Sequence, residues 1–181
     1  MKKTDIIIGI DPDIDRSGVA VLRTEARSMR VDKLRFPDML DFVAREAREA
    51  AAEGKSVAVW VEAGWLNTSN WHTRPGMSAN YNASIGQAVG RNQAVGMLAI
   101  QMLQHMGIPA SPIKPLPKVM RVGSSTVPMW SGRDGKATAT DLAQLLQAHG
   151  ITATPPRMNQ DQRDAALIAL RGAGIPVVPH F

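Results

Sequence analysis

The stretch GIDPDIDRSG, residues 9–18, decides the fold of this 181-residue chain. It lies between two apolar runs, DIIIGI at 5–10 and SGVAVL at 17–22, and this pattern predicts a β-hairpin. The stretch carries three aspartates, which are Asp11, Asp13 and Asp15. Because like charges in one turn repel each other, the sequence suggests that something positive lies among them.

The elements after this hairpin predict a mixed sheet. A third strand near 29–36 completes a three-stranded antiparallel meander, and a helix follows with Asp38 as its N-cap and Gly54 at its end. The apolar run 56–63 comes after that helix. This order implies a parallel crossover and a sheet that is covered on both faces.

The rest of the chain begins with residues 63–82, which lack periodicity and read as a long loop. A long helix is predicted next, with Gly86 and Gly90 allowing close approach of another backbone. This helix covers residues 83–106. The elements predicted after it are a fifth strand within 108–115, an irregular basic connection at 116–135, and helices at 140–149 and 160–172. The length suits a single domain over residues 1–181.

The composition limits the chemistry that the chain can perform. It has no cysteine, so any metal must be held by carboxylate, imidazole or carbonyl groups, which favours magnesium or manganese. No segment approaches the length of a membrane span, and no targeting segment is evident. We therefore expect a soluble protein that acts in the cytoplasm and not at a membrane.

The charge is distributed unevenly along the sequence. Residues 1–62 carry eleven Lys/Arg and twelve Asp/Glu, whereas residues 63–181 carry ten Lys/Arg and four Asp/Glu. No acidic residue occurs from Ala63 to Arg133. A polyanion such as nucleic acid gains affinity from a field of this kind through counterion release, although a merely solubilising surface is the alternative.

Four acids stand out by position, and these are Asp11, Glu62, Asp161 and Asp164. Asp11 follows the first strand and Glu62 ends the fourth, so they share one sheet edge if those strands are parallel neighbours. Asp161 and Asp164 are three residues apart and therefore lie on one face of the last helix. Four carboxylates in one place imply bound metal, and two divalent ions roughly 3.5–4 Å apart can hydrolyse a phosphodiester. Taken singly, each acid also has an ordinary interpretation as a turn former, strand end or helix N-terminal charge.

The combined pattern resembles the RuvC-type Holliday-junction resolvases of the RNase H-like superfamily. The motifs that carry the resemblance are Ile8-Gly-Ile-Asp-Pro12 with Ser17-Gly18, a strand ending in Glu62, Ile85-Gly-Gln-Ala-Val-Gly90, Gly135-Lys136, and Asp161-x-x-Asp164-Ala-Ala-Leu-x-Ala-Leu. One position departs from the family, because Asp13 stands where glycine is common. We interpret Asp13 and Asp15 as turn residues, with a water-mediated metal contact left open.

The resemblance implies the fold, the activity and the partners. The fold would be RNase H-like α/β, a five-stranded mixed sheet with strands 1–3 as an antiparallel meander, parallel strands 4 and 5, and helices on both faces. The activity would be magnesium-dependent nicking of four-way DNA junctions by a homodimer, with two ions per active site and Mn²⁺ as a possible substitute. The catalytic and metal-binding residues would be Asp11, Glu62, Asp161 and Asp164.

Basic and aromatic residues near these acids are candidates for DNA contact. Aromatic residues of the loop could stack on splayed bases, or could instead close a small core or line a dimer interface. The candidates are Trp65, Trp71, Arg74, Tyr81, Arg91, Lys114, Lys118, Arg121, Arg133 and Lys136.

Other functions remain open at this level. An actin-like phosphotransferase needs a second phosphate loop, which the sequence lacks, and a non-catalytic junction-binding protein would not need all four acids. A nuclease for RNA–DNA hybrids or for branched phage DNA shares the metal chemistry, so the sequence does not distinguish it from a junction resolvase.

Overall fold

The computed structural model describes residues 4–67, 76 and 78–178. Strands and helices alternate along this part of the chain as a mixed α/β structure. The strands are β1 (Ile6–Asp11), β2 (Ser17–Arg23), β3 (Ser28–Leu34), β4 (Val57–Glu62), β5 (Ala110–Ile113), β6 (Val119–Val122), β7 (Ser125–Pro128) and β8 (Thr152–Thr154). The helices are α1 (Phe36–Ala52), α2 (Ala79–His105), α3 (Ala139–Ala148) and α4 (Gln160–Gly172), with short 3₁₀ turns at Gly64–Leu66 and Arg133–Gly135.

The main sheet has six strands in the order β5-β4-β1-β2-β3-β8. Strands β1, β2 and β3 form an antiparallel meander, and β4 and β5 run parallel to β1. The predicted arrangement of these five strands is therefore confirmed. The sequence analysis missed the sixth strand, β8, which pairs with β3 over only three residues.

The side chains of β1 alternate between two hydrophobic layers, so helices cover both faces of the sheet as predicted. Ile6, Ile8 and Ile10 belong to the layer beneath α1 and α2. Ile7 belongs to the opposite layer, beneath α3 and α4. Continuous apolar runs in the central strands follow from this two-sided burial.

Two glycines bring α4 directly onto the sheet. A Cβ atom at Gly9 would lie 2.4 Å from the Ala165 carbonyl oxygen, and one at Gly18 would lie 2.1 Å from that of Asp161. No residue with a side chain fits at such distances. The start of α4 is therefore held against the β1–β2 hairpin.

Several boundaries differ from those predicted. Helix α1 begins at Phe36 with Pro37 in its first turn, so Arg35 and not Asp38 is the N-cap. Proline suits this position because its missing N–H has no partner in the first turn. Helix α2 begins at Ala79, where the Ser78 hydroxyl accepts a hydrogen bond from Tyr81 N, so the loop before it is shorter than predicted. The connection 116–135 contains the β6–β7 hairpin and is not wholly irregular.

Candidate active site

The four predicted acids face one cavity of about 580 Å³. Strands β1 and β4 are parallel neighbours, with Ile10 paired to Val61, so Asp11 and Glu62 leave the sheet at the same edge. Asp161 and Asp164 reach the cavity from the start of α4. The structure thus brings together, from three separate elements, the residues that the sequence pattern selected.

The cavity lies between two walls that approach from opposite sides. The N-terminal half of α2 forms one wall, and the segment around the root of the β6–β7 hairpin forms the other. The lining residues on these walls are Gly86, Val89, Gly90, Asn92, Gln93, Pro115, Leu116, Pro117, Lys118, Trp130, Gly135, Lys136 and Ala137. Gly86 and Gly90, which were predicted to help two helices pack, therefore border the cavity.

Helix α4 has a strong N-terminal cap, which fixes the two acids of its first turns. The Asn159 side chain accepts from Gln162 N at 3.0 Å, and the Gln162 side chain accepts from Asn159 N at 2.9 Å. Gln160 Nε2 donates to Asp164 Oδ1 at 2.7 Å. The reciprocal capping orients the start of the helix, and the bond from Gln160 occupies Asp164 Oδ1 while Oδ2 has a different partner.

The electrostatics of the site are those of crowded carboxylates. Burial raises the pKa of Asp11 well above its ordinary range, and the charges of Glu62, Asp164 and Asp161 raise it further. Burial also raises the pKa of Glu62, with Asp164 adding to the effect. Both shifts arise because water is excluded and like charges are close, which penalises the ionised form.

Two lysines partly neutralise this cluster. Lys136 Nζ donates to Asp164 Oδ2 at 3.1 Å. Burial acts to lower the pKa of Lys136, but the charges of Asp164, Asp11 and Glu62 outweigh burial and raise it. On the opposite side, Lys33 of β3 forms an ion pair with Asp161.

The donor set suits a hard divalent cation, because it consists of carboxylate oxygens in a partly dry cavity with unfavourable mutual repulsion. Within the described part of the chain, however, no group of three or more His, Asp or Glu side chains converges closely enough to hold an ion. In this structure the four carboxylates form a cluster whose charge is partly neutralised by Lys136 and Lys33. Asp11, Glu62, Asp161 and Asp164 are the residues that would hold such an ion.

The other two aspartates of the opening stretch organise the β1–β2 turn. Asp13 Oδ1 accepts from Asp15 N at 2.9 Å, which closes a local turn, and Asp13 also lines the cavity. Asn92 of α2 donates to Asp13 Oδ2 at 3.2 Å and accepts from Ile14 N at 3.0 Å. Asp15 itself is exposed. The sequence analysis missed Asn92, because no local pattern links a residue to a turn about 80 positions away.

The predicted DNA-binding residues have different surroundings. Lys118 and Lys136 line the cavity, whereas Trp65 packs against Gly96 of α2 and the hydrophobic layer beneath α1 and α2. The exposed candidates away from the cavity lining are Tyr81, Arg91, Lys114, Arg121 and Arg133. Trp71 and Arg74 lie outside the described residues. The sequence analysis also overlooked Lys33 and Trp130.

The strand order, with a three-stranded meander followed by two parallel strands and helices on both faces, is that of the RNase H-like fold. No protein-family model matches the sequence, and no curated protein matches it. The RuvC structure of Thermus thermophilus is similar at 18% identity and a TM-score of 0.43, covering 91% of each chain.

Two further solved structures are similar, again with low sequence identity and a TM-score below 0.5. The resolvase of Fowlpox virus, in a complex with Holliday junction DNA, has 12% identity and a TM-score of 0.44 and covers 93% of this chain and 97% of that one. The large terminase nuclease of the thermophilic phage G20c has 12% identity and a TM-score of 0.39, with coverages of 92% and 81%. At these identities and TM-scores the likeness concerns the fold alone.

Proposed function

We propose that this chain is a divalent-metal-dependent nuclease that resolves four-way DNA junctions in the cytoplasm. The observation that carries the proposal is that four carboxylates, from β1, β4 and α4, line one cavity. Carboxylates are seldom buried together without a cation to offset their repulsion. A phosphodiester is the natural substrate for such a site, since two divalent ions can activate water and stabilise the leaving oxygen.

In this proposal Asp11, Glu62, Asp161 and Asp164 bind the metal, which is Mg²⁺ or Mn²⁺ at two ions per site. Asp11 lies at the end of β1, beside the end of β4, and the other three carboxylates all raise its pKa. Lys136 pairs with Asp164 on the cavity wall and can contact a phosphate oxygen of the substrate.

Nucleic acid is favoured as the substrate by the charge of the segment that forms the walls. Residues 63–133 contain no acidic residue, and the basic side chains Lys118 and Lys136 line the cavity itself. Side chains of this kind neutralise phosphates and set the register of the backbone. The branched substrate is proposed from the resemblance of the motifs to junction resolvases, which extends over nearly the whole chain.

We also propose that the protein acts as a homodimer. Helix α2 and its C-terminal end expose four large apolar side chains, and these are Met97, Leu98, Met102 and Met106, at 39–50% exposure. Leu98, Met102 and Met106 follow at intervals of four residues and so form one stripe. A second copy packed along this stripe would place two sites about a two-fold axis, as paired cuts on a symmetric junction require.

The test is a cleavage assay on three labelled substrates, which are a four-way junction, a linear duplex and an RNA–DNA hybrid. Each is incubated with Mg²⁺, Mn²⁺ or EDTA, and the cuts are mapped. Paired, metal-dependent cuts in the junction are expected. Cleavage confined to the hybrid would replace the proposed substrate, and tight junction binding without any cleavage would contradict a catalytic role.

A further inference from the structure

The β6–β7 hairpin projects from the body of the protein beside the cavity. Its two strands pair only with each other and form a sheet of their own. They are joined by Gly123 and Ser124, and Gly123 has a φ of 62°, a conformation that glycine adopts without strain. Strands of four residues span about 13 Å, and a hairpin of this size is marginal unless one end is anchored.

The root of the hairpin is anchored at the cavity wall. Met129 N donates to the Lys118 carbonyl oxygen at 2.7 Å. A Cβ atom at Gly135 would lie 2.0 Å from that same oxygen, so this contact needs glycine. Lys118 and Trp130, which flank the two strands, line the cavity together with the carboxylates. The direction of the hairpin relative to the acids is therefore fixed by packing.

The two faces of the hairpin differ. Met120 and Val127 are cross-strand partners and are half-buried, with Met120 packed against the core. Arg121 on the opposite face is exposed, as is its partner Thr126. Near the connection, Val122 is 55% exposed. The hairpin thus presents one cation and two exposed valines, Val119 and Val122, and it contains no acidic residue.

We propose that the β6–β7 hairpin is a DNA-binding arm that enters the major groove of a duplex arm beside the scissile phosphate. The inference rests on the proposed nuclease function. A two-stranded ribbon fits the major groove of undistorted B-form DNA, which is about 12 Å wide, whereas entry into the minor groove, about 6 Å wide, requires that the DNA be deformed. Val122 on one face of the ribbon contacts the methyl group of thymine, and Arg121 on the other face contacts a phosphate of the groove wall. Duplex DNA is favoured over a protein partner because the hairpin carries an exposed cation and no acidic residue, beside a cavity that Lys118 and Lys136 also line.

The first test uses cross-linking, for which the absence of cysteine from the chain is an advantage. Ser124→Cys places a single thiol at the exposed end of the hairpin, and Ala51→Cys places one on the exposed surface of α1 as a matched control. Each variant is incubated in Ca²⁺ with junction DNA that carries a disulfide tether on a major-groove or a minor-groove base edge. Only Ser124→Cys is expected to cross-link, and only to major-groove tethers within one helical turn of the cut.

The second test measures affinity. Arg121→Ala should weaken junction binding at least fivefold and lower the slope of log K against log salt by about 0.9, because one phosphate contact is lost. Val122→Ser should weaken binding about threefold and leave the slope unchanged. Arg48→Ala, on the exposed surface of α1, removes an equal charge and should leave both quantities unchanged.

The outcomes separate this inference from the proposed function. A parent protein that cuts junctions, while Ser124→Cys fails to cross-link and both hairpin variants bind like the parent, overturns the role of the hairpin alone. A parent that binds no DNA overturns both proposals. A change in oligomeric state on Val122→Ser would assign the hairpin to a protein interface and would also overturn the inference.

Discussion

Lys136 Nζ lies 3.1 Å from Asp164 Oδ2, on the wall of the cavity that Asp11 and Glu62 also face. The carboxylate cluster therefore contains a positive charge of its own, supplied by the residue that follows the glycine at the root of the hairpin. The lysine can serve two partners, since it neutralises the acids and also lines the cavity that would receive a phosphate under the proposed function. Its two roles should respond in opposite directions to one substitution.

Lys136→Met keeps the length of the side chain and removes its charge. We expect Mn²⁺ to bind roughly three- to tenfold more tightly, because no ammonium group competes for Asp164. Junction DNA should bind more weakly, because a phosphate partner is lost. Calorimetry with Mn²⁺ and fluorescence anisotropy with DNA measure the two effects. Lys55→Met is the control, because Lys55 pairs with Glu53 outside the cavity lining. Weaker metal binding by Lys136→Met would contradict the competition.

Asp141 gives a prediction about acid stability. Its side chain accepts from Thr138 N at 2.8 Å and from Ser131 Oγ at 2.9 Å. Burial opposes ionisation, but these hydrogen bonds outweigh it and lower the pKa of Asp141. Because the folded-state pKa lies below the unfolded one, the stabilisation is present above about pH 4 and is lost as the pH falls through the lowered value.

Asp141→Ala should lower the free energy of unfolding by about 0.5–1 kcal/mol at pH 7, since the site is partly exposed and screened by solvent. The loss should shrink at acidic pH, where the parent also loses this contribution. Urea unfolding at several pH values measures both. Asp141→Asn is the control that keeps one acceptor oxygen without the charge. Its free energy of unfolding at pH 7 should lie between those of the parent and Asp141→Ala. An equal loss at every pH would exclude the carboxylate as the source.

Leu98→Glu tests the proposed dimer. Leu98 is 50% exposed and lies one turn from Met102 on the apolar stripe of α2. A charge buried in an interface is costly, so the variant should be monomeric by light scattering at concentrations where the parent is a dimer. Its cuts on a junction should become unpaired single nicks. Gln144→Glu, on the exposed surface of α3, makes a similar change in charge and should remain dimeric. A monomeric parent, with and without DNA, would remove the dimer proposal.

The sheet could be predicted from the sequence because its strands are short apolar runs bounded by turn residues. The crossover through α1 then made β4 a parallel neighbour of β1, so Asp11 and Glu62 were expected at one edge. Spacing alone placed Asp161 and Asp164 on one helical face. These inferences need only local sequence patterns and the rule that a strand–helix–strand connection joins parallel strands of one sheet.

The parts that could not be predicted depend on contacts between distant residues. Strand β8 is three residues long and exists because β3 offers it a free edge. The β6–β7 hairpin is rich in Gly, Ser and Pro, so its sequence suggested an irregular segment, and its root is fixed by Gly135 packed against Lys118. Lys33 pairs with an acid 128 positions away, and nothing near either residue in the sequence indicates this ion pair.

The last prediction separates the three aspartates of the opening stretch. Asp11→Asn keeps the size of the side chain and removes a half-buried charge that three other carboxylates oppose. Junction cleavage should fall by orders of magnitude, because the proposed metal ligand is lost. The same change relieves repulsion among the carboxylates. In EDTA the free energy of unfolding should therefore rise by on the order of 1 kcal/mol, which is about 2–4 °C in melting temperature.

Asp15→Asn should retain activity within about tenfold of the parent, a barrier change of roughly 1.4 kcal/mol or less, because its side chain is exposed. Asp13→Asn should show a modest loss of activity, since asparagine can still accept from Asp15 N but changes the bond with Asn92. Asn92→Ala should lose a similar amount of activity and about 1 kcal/mol of stability, because the Ile14 amide loses its acceptor. Single-turnover cleavage and thermal melting of all four variants measure these effects. If Asp11→Asn cuts at the parent rate while Asp13→Asn is inactive, the catalytic carboxylate at this turn is Asp13, and Asp11 is a buried structural acid.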